Sequence, residues 1–263
     1  MSEIVSHYEK IPEDPRLQIG WGPLEFARTQ ELFLRHLPPP PREILDVGGG
    51  AGVYSAWLGS LGYDTHLLDI VPAHVESARK SAVIASAEVG DARKLKNADA
   101  STDAVLLLGP LYHLTERADR LAALREARRV LRSGGFLFAA AINRFASLLN
   151  GLVAGAIDDP RFVAIVEQDL KNGQHRNATG NPEYFTTAFF HRAEELRAEV
   201  AESGFAVLDV APIEGPGWLA ANFDERWSDP LRREDLLKLI RQVEHDPALI
   251  ASSLHFLATA QKS

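Results

Sequence analysis

The stretch ILDVGGGAGVYS, residues 44–55, runs an apolar segment with one acid, Asp46, straight into glycines. Ile44, Leu45 and Val47 have the composition of a short buried strand. Gly48, Gly50 and Gly52 stand at alternate positions. A missing Cβ there lets the backbone turn tightly and approach a ligand. VYSAWLGSLG, residues 53–62, reads as a helix whose free N–H groups face anything negative. In an open α/β sheet such a turn lies at the carboxyl edge of the strands, where ligands bind.

Two phosphate readings of the glycines are weakened. The dinucleotide pattern G-x-G-x-x-G/A needs a glycine or alanine at its last position, which neither count supplies. From Gly48 it ends on Val53, and from Gly50 on Ser55. No lysine follows in the place a P-loop requires. What remains is D-x-G-x-G-x-G, and Asp46 makes sense if the ligand is positively charged near the loop. Asp69 ends the next apolar run, THLLDIVP, where a carboxylate can accept both hydroxyls of a ribose. Asp91 follows a third strand in VGDAR, where an adenine edge could lie. Acids after three successive strands describe a ligand with an amine, a ribose and a base.

The surrounding chain repeats the rhythm. A leading helix over 23–37 is cut off by PPPP at 38–41, since proline is excluded from helix interiors. Strands at 43–48, 64–70, 87–90, 103–111 and 135–142 alternate with helices at 53–62, 72–81 and 116–133. This βαβα order predicts an α/β fold with a doubly wound, mostly parallel sheet. Residues 143–190 are longer than an ordinary crossover. They hold a helix-like SLLNGLVAGAI and a polar KNGQHRNATGNPEYF, and are expected to form a lid over the carboxyl edge. A helix at 191–204, a strand at 206–215, a helix at 229–246 and a strand at 252–261 complete the chain. The expected organisation is one domain over 1–263, with an N-terminal helical segment at 1–40 and the lid inserted after the fifth strand.

Composition narrows the function. The chain has 263 residues, 46% hydrophobic and 24% charged, and a formal net charge of -8, which disfavours a general nucleic-acid binder. It has no cysteine, which excludes disulfides, thiolate metal sites and a cysteine nucleophile. The N-terminus has no signal-peptide core, and no apolar run approaches the roughly 20 residues of a membrane span. A cytoplasmic protein is expected, and Asn177-Ala178-Thr179 is read as a chance glycosylation match.

Taken in order, ILDVGGGAG, HLLDIVPAHVESAR, VGDARKL, DAVLLLGPLYHL and ALREARRVLRSGGFL resemble the class I S-adenosylmethionine-dependent methyltransferases, over residues 43–141. The resemblance implies a Rossmann-like, seven-stranded sheet and S-adenosylmethionine as cofactor. It also implies roles. Gly48, Gly49, Gly50 and Gly52 would hold the methionine portion, with Asp46 organising the loop and balancing the ammonium. Asp69 would bind the ribose, Ile70 would lie on the adenine face, and Asp91 and Ala92 would meet the adenine. Leu108 and Gly109 would lie near the sulfonium, and Tyr8 and Arg16 would fold over the cofactor.

Methyl transfer from a sulfonium needs alignment and exclusion of water, and needs a base only if the acceptor must lose a proton. Gly109-Pro110-Leu111 replaces the Asn/Asp-Pro-Pro of enzymes acting on planar amines, and lacks the acid of metal-dependent catechol enzymes. No metal is therefore expected. Tyr112 and His113 follow directly and are candidate acceptor-site residues, although His113 can equally be a packing residue at a helix start. His191, after the lid, is a third candidate. The expected acceptor is a small or medium organic molecule, with a peptide still open. A nicotinamide oxidoreductase and a regulatory module that keeps the cofactor without chemistry are the competing readings.

Overall fold

The computed structural model describes residues 16–263. Its main sheet contains β1 (Glu43–Val47), β2 (Asp64–Asp69), β3 (Ser86–Val89), β4 (Thr102–Leu107) and β5 (Leu131–Ile142), all parallel to one another. Two short strands, β6 (Gln174–His175) and β7 (Ala188–Phe189), form a separate antiparallel pair. β8 (Ala206–Pro212) and β9 (His255–Gln261) then return to the main sheet. The seven strands run in the order β3-β2-β1-β4-β5-β9-β8, and β9 is antiparallel to both its neighbours. This is the expected doubly wound sheet, with a strand reversed near its far edge.

The central strands β1 and β4 are buried on both faces. α1 (Gly22–Leu34) and α2 (Val53–Ser60) cover one face, where Leu32, Phe33 and Leu58 meet Ile44, Leu106 and Phe138. α3 (Pro72–Ala78) packs Val75 and Ala78 on Leu67. A short α4 (Pro110–His113) follows β4, and α5 (Arg117–Val130) puts Leu124, Ala127 and Val130 on the opposite face. Continuous apolar strands such as AVLL in β4 are what two covered faces demand.

α5 ends sooner than its sequence suggests. Leu131 has an extended backbone and pairs with Thr102, so the strand begins there and not at Gly135. The register slips between Thr102 and Ala104, and Gly134, at φ +79°, takes up the irregularity.

Residues 143–190 contain α6 (Ala146–Ala154) and α7 (Pro160–Asn172) before the β6–β7 pair. α7 falls within the expected lid, where no helix was foreseen. Its N-cap is Asp159, whose side chain accepts from the Arg161 N–H, and Pro160 opens its first turn. Phe162, Ile165, Val166 and Asp169 share its buried face. Asp169 Oδ2 accepts from Ser147 Oγ at 2.6 Å and meets His175 Nδ1 at 2.8 Å. His175 Nε2 lies 2.8 Å from the Tyr184 carbonyl. One buried carboxylate thus ties α6, α7, β6 and the loop beyond it.

α8 (Ala193–Glu202) packs Leu196 and Val200 against the sheet. α9 (Phe223–Ser228), α10 (Pro230–Val243) and α11 (Pro247–Ile250) fill the β8–β9 connection. Among the described residues, no helix is long and apolar enough to cross a membrane.

Candidate active site

The glycine turn follows β1 as expected, and its geometry explains the sequence. Gly48 has φ +72°, and a Cβ there would sit 2.6 Å from the Pro110 ring. A Cβ on Gly49 would lie 2.7 Å from the Asp46 carboxyl carbon. The loop therefore presses between the end of β4 and its own acid. Asp69 fastens it from the neighbouring strand. Its Oδ2 accepts from the Gly50 N–H and its Oδ1 from the Val71 N–H, both at 2.8 Å. Each oxygen uses one lone pair in this way and retains another.

Asp46 is almost fully buried. Ser55 Oγ donates to its Oδ2 at 2.7 Å, while Oδ1 is buried with no hydrogen-bond partner among the described residues. Burial drives the carboxyl pKa up, the Ser55 hydrogen bond opposes this, and the nearby Asp69 charge adds to the rise, which reaches about 7. A buried carboxylate oxygen without a donor, at the floor of a cleft, is a place for a cationic ligand.

The cleft beside this loop has a volume of about 880 Å³, room for a nucleoside-sized ligand and a second molecule. Asp46, Gly48, Gly49, Gly50, Asp69, Ile70, Asp91, Ala92, Leu108 and Gly109 all line it, as do Tyr112 and His113. Asp91 is not an idle acid. Arg93 holds it through a fork at 2.7 Å and is itself held by Asp119, and these hydrogen bonds keep the Asp91 carboxyl below its usual range. The ring of His113 packs 4.7 Å from Tyr112 and 5.9 Å from Phe185, whose backbone is left-handed at φ +63°.

Two expected residues lie elsewhere. Gly52 does not line the cleft. It starts α2 at φ +91°, with its open side against Ile84, where a Cβ would come within 2.7 Å. His191 is fully buried outside the cleft, so its candidacy as an acceptor-site residue is wrong. The returning chain docks there on the end of β5, the His191 N–H donating to the Ile142 carbonyl at 2.8 Å. Its Nε2 lies 3.3 Å from Glu199, which Arg120 also holds, and burial lowers the ring's basicity. Tyr8 lies outside the described residues.

At the opposite end of the cleft, sequence reasoning singled out Arg16 and missed Glu25, Glu214 and His255. Arg16, Glu25, Glu214 and His255 line it, from the start of the described chain, α1, the turn after β8 and the first residue of β9. Arg16 forks onto Glu25 at 2.6 and 2.9 Å. His255 Nδ1 lies 2.6 Å from Glu214 Oε1. No motif announces these residues, because they are far apart in the chain and each is ordinary where it stands.

The family profile described as "Methyltransferase domain" matches residues 45–139. The ubiquinone biosynthesis O-methyltransferase of Xanthomonas axonopodis pv. citri is 32% identical over 193 residues, covering 72% of each chain. That of Methylocella silvestris is 31% identical over 178 residues, covering 59% of this chain and 68% of its own. The chain belongs to the class I S-adenosylmethionine-dependent methyltransferases. A solved S-adenosylmethionine-dependent methyltransferase from Methanosarcina mazei shares the fold at a TM-score of 0.59 and 18% identity, over 88% of this chain and 96% of its own. The cofactor of this methyltransferase is therefore S-adenosylmethionine, and the acid-lined glycine cleft has the shape and charge to take it.

Proposed function

We propose that this methyltransferase transfers a methyl group to an oxygen of a small organic acceptor enclosed in the cleft. The observation that carries the cofactor half is the pair of acids on the glycine loop. Asp46 offers an unpartnered buried oxygen to a cation, and Asp69 retains one lone pair on each oxygen for paired hydroxyls. On this reading Gly48, Gly49, Gly50 and Asp46 hold the methionine portion and Asp69 the ribose. Ile70 and Ala92 flank the adenine, with Asp91 at its edge, and Leu108 and Gly109 border the sulfonium. S-adenosylmethionine supplies a methyl already activated on positive sulfur. The chain has to align the acceptor and keep water out, and no metal is invoked.

The relatives named as O-methyltransferases support oxygen as the acceptor atom, and the formal net charge of -8 weighs against a nucleic-acid acceptor. Segment 143–190 is proposed as the lid, since His175, Tyr184 and Phe185 within it line the same cleft. Tyr112 and His113 are proposed to form the wall that the acceptor lies against. The domain is proposed to be single and cytoplasmic.

Isothermal titration with S-adenosylmethionine and, in parallel, NAD tests the cofactor assignment. Binding of the first alone is the expected result. Tight binding of NAD would overturn it.

Binding is also expected to release a proton. Free Asp46 is about half protonated near neutral pH, and a bound cation favours its charged form. Affinity therefore rises as pH climbs through about 7. Calorimetry in two buffers of different ionisation heat should show release of up to about half a proton at neutral pH, and Asp46→Asn should abolish it. His113→Ala is expected to lower kcat/KM for the acceptor about tenfold through lost contacts, roughly the 1.4 kcal/mol of a partly exposed ring. Cofactor affinity, measured separately by calorimetry, should stay unchanged.

A further inference from the structure

We propose that His255, oriented by Glu214, is the general base that takes the proton of a phenol-type hydroxyl acceptor. This inference rests on the methyltransferase reading of the same cleft and names the acceptor class.

The placement comes from strand register. Val47, Leu107 and Ala139 lie level across β1, β4 and β5. His255 pairs with Ile142, three residues further along β5, or about 10 Å at ~3.3 Å per residue. Directly opposed residues share a face, and Ala140, Ile142 and His255 all line the cleft, while Ala139 and Ala141 point to the opposite core. His255 thus overhangs the carboxyl edge past β4, on the far side from Asp69 and Asp91.

The chemistry comes from its partners. Glu214 is buried to 1% of its side-chain surface, yet it is fully engaged. Its Oε2 accepts from Ser253 Oγ at 2.7 Å and from the His255 N–H at 3.0 Å, and its Oε1 meets His255 Nδ1. A carboxylate held this firmly keeps the imidazole proton on Nδ1 and leaves Nε2 as the acceptor. Nε2 has no hydrogen-bond partner among the described residues, and the ring keeps 22% of its surface in the cleft. Among the described residues, the charged groups around the ring are Glu214, Glu25 at 3.9 Å from Nδ1, and Arg16, which is forked onto Glu25. Burial lowers the ring's basicity, the two carboxylates outweigh it, and Arg16 moderates them, so the net shift is upward. A cation bound at the loop then favours the neutral, proton-accepting ring.

The step balances. The acceptor O–H gives its proton to Nε2. The oxygen's electron pair forms the C–O bond while the C–S bond breaks onto sulfur, leaving a neutral thioether. The imidazolium returns its proton to solvent. A phenol suits this base because its acidity lies within a few pH units of an imidazole.

Glu25, Glu214 and His255 also hold ligand atoms within 4.8 Å of one another, a spacing an ion could bridge. Their atoms are spent otherwise. Both Glu25 oxygens bind Arg16, and the imidazole Nδ1 is committed to Glu214.

The test uses the full chain with nitrophenol, catechol and phenol as acceptors and release of S-adenosylhomocysteine as readout. His255→Gln, which keeps a donor toward Glu214, should lower kcat by about 10²–10⁴-fold with S-adenosylmethionine affinity unchanged, and should erase the acid limb of the pH–rate profile. Glu214→Gln removes the charge that raises the ring's pKa, so it should shift that limb to lower pH. Nuclear magnetic resonance of the labelled ring nitrogens, which needs no turnover, should show Nδ1 protonated and Nε2 titrating in the wild type, and a mixture of tautomers in Glu214→Gln. Wild-type turnover retained in His255→Gln, or an unmoved acid limb, overturns the dyad. Turnover lost to a chelator and restored by magnesium overturns it in favour of an ion. Cofactor binding without methylation of any of the phenols overturns the acceptor class. Failure of the wild type to bind S-adenosylmethionine overturns the underlying reading instead.

Discussion

Asp69→Ala is expected to weaken S-adenosylmethionine binding by about 10²–10³-fold. Hydrogen bonds to a charged group contribute about 1.5–3 kcal/mol each, and the carboxylate is placed to accept two ribose hydroxyls. At the lower end of that range, losing both costs about 3–4 kcal/mol, or two to three decades of affinity. Part of the loss is indirect. Asp69 also accepts from the Gly50 and Val71 N–H groups, so its removal loosens the turn that the methionine portion needs. Asp69→Asn separates the two effects, because it keeps one acceptor for the backbone and removes the charge. Titration calorimetry gives the affinity and thermal unfolding reports the loop. A mutant that bound as tightly as wild type would show that the ribose lies elsewhere.

Gly48→Ala is expected to cost stability as well as binding. The left-handed backbone costs an alanine about 1–2 kcal/mol. Its methyl would also meet the Pro110 ring at 2.6 Å, and such overpacking costs a further ~1–3 kcal/mol. For a chain of this size the sum corresponds to a fall in Tm on the order of 10 °C. Pro110 follows Gly109 and opens α4, so relief of the clash displaces the residues that border the proposed sulfonium position. Gly134→Ala is the control. Its backbone is also left-handed, but a Cβ there meets nothing within 4 Å, so only the strain term should appear.

The part of the site legible in the sequence is contiguous. Asp46 and the glycines are read together because one turn needs them together, and Asp69 and Asp91 follow at the ends of the next two strands. The succession of strands and helices was legible for the same reason, since buried apolar runs alternate with helical stretches along the chain. Other failures have specific causes. His191 is a candidate in the sequence because it comes straight after the lid, yet the chain there folds back onto β5 and buries it against Glu199. Gly52 fits the motif's spacing, but the spacing is silent on which side of the turn a glycine keeps clear. α7 did carry its signals, with Asp159, Pro160, the Phe162–Ile165–Val166 stripe and Gly173, and they were masked by the polar sequence that follows it. Glu214 and His255 were not legible at all. They are 41 residues apart, and only the reversal of β9 brings them together.

That reversal has a consequence for the order in which the protein is made. The loop with Asp46 and its partners Asp69 and Pro110 is encoded in the first half of the chain. The wall bearing His255 belongs to the last strand, which pairs between β5 and β8 and so must wait for everything before it. On the ribosome the glycine turn can close long before His255 exists. A shortened chain that stops before β9 keeps Arg16, Glu25 and Glu214 but loses His255, together with the middle of the sheet's far half.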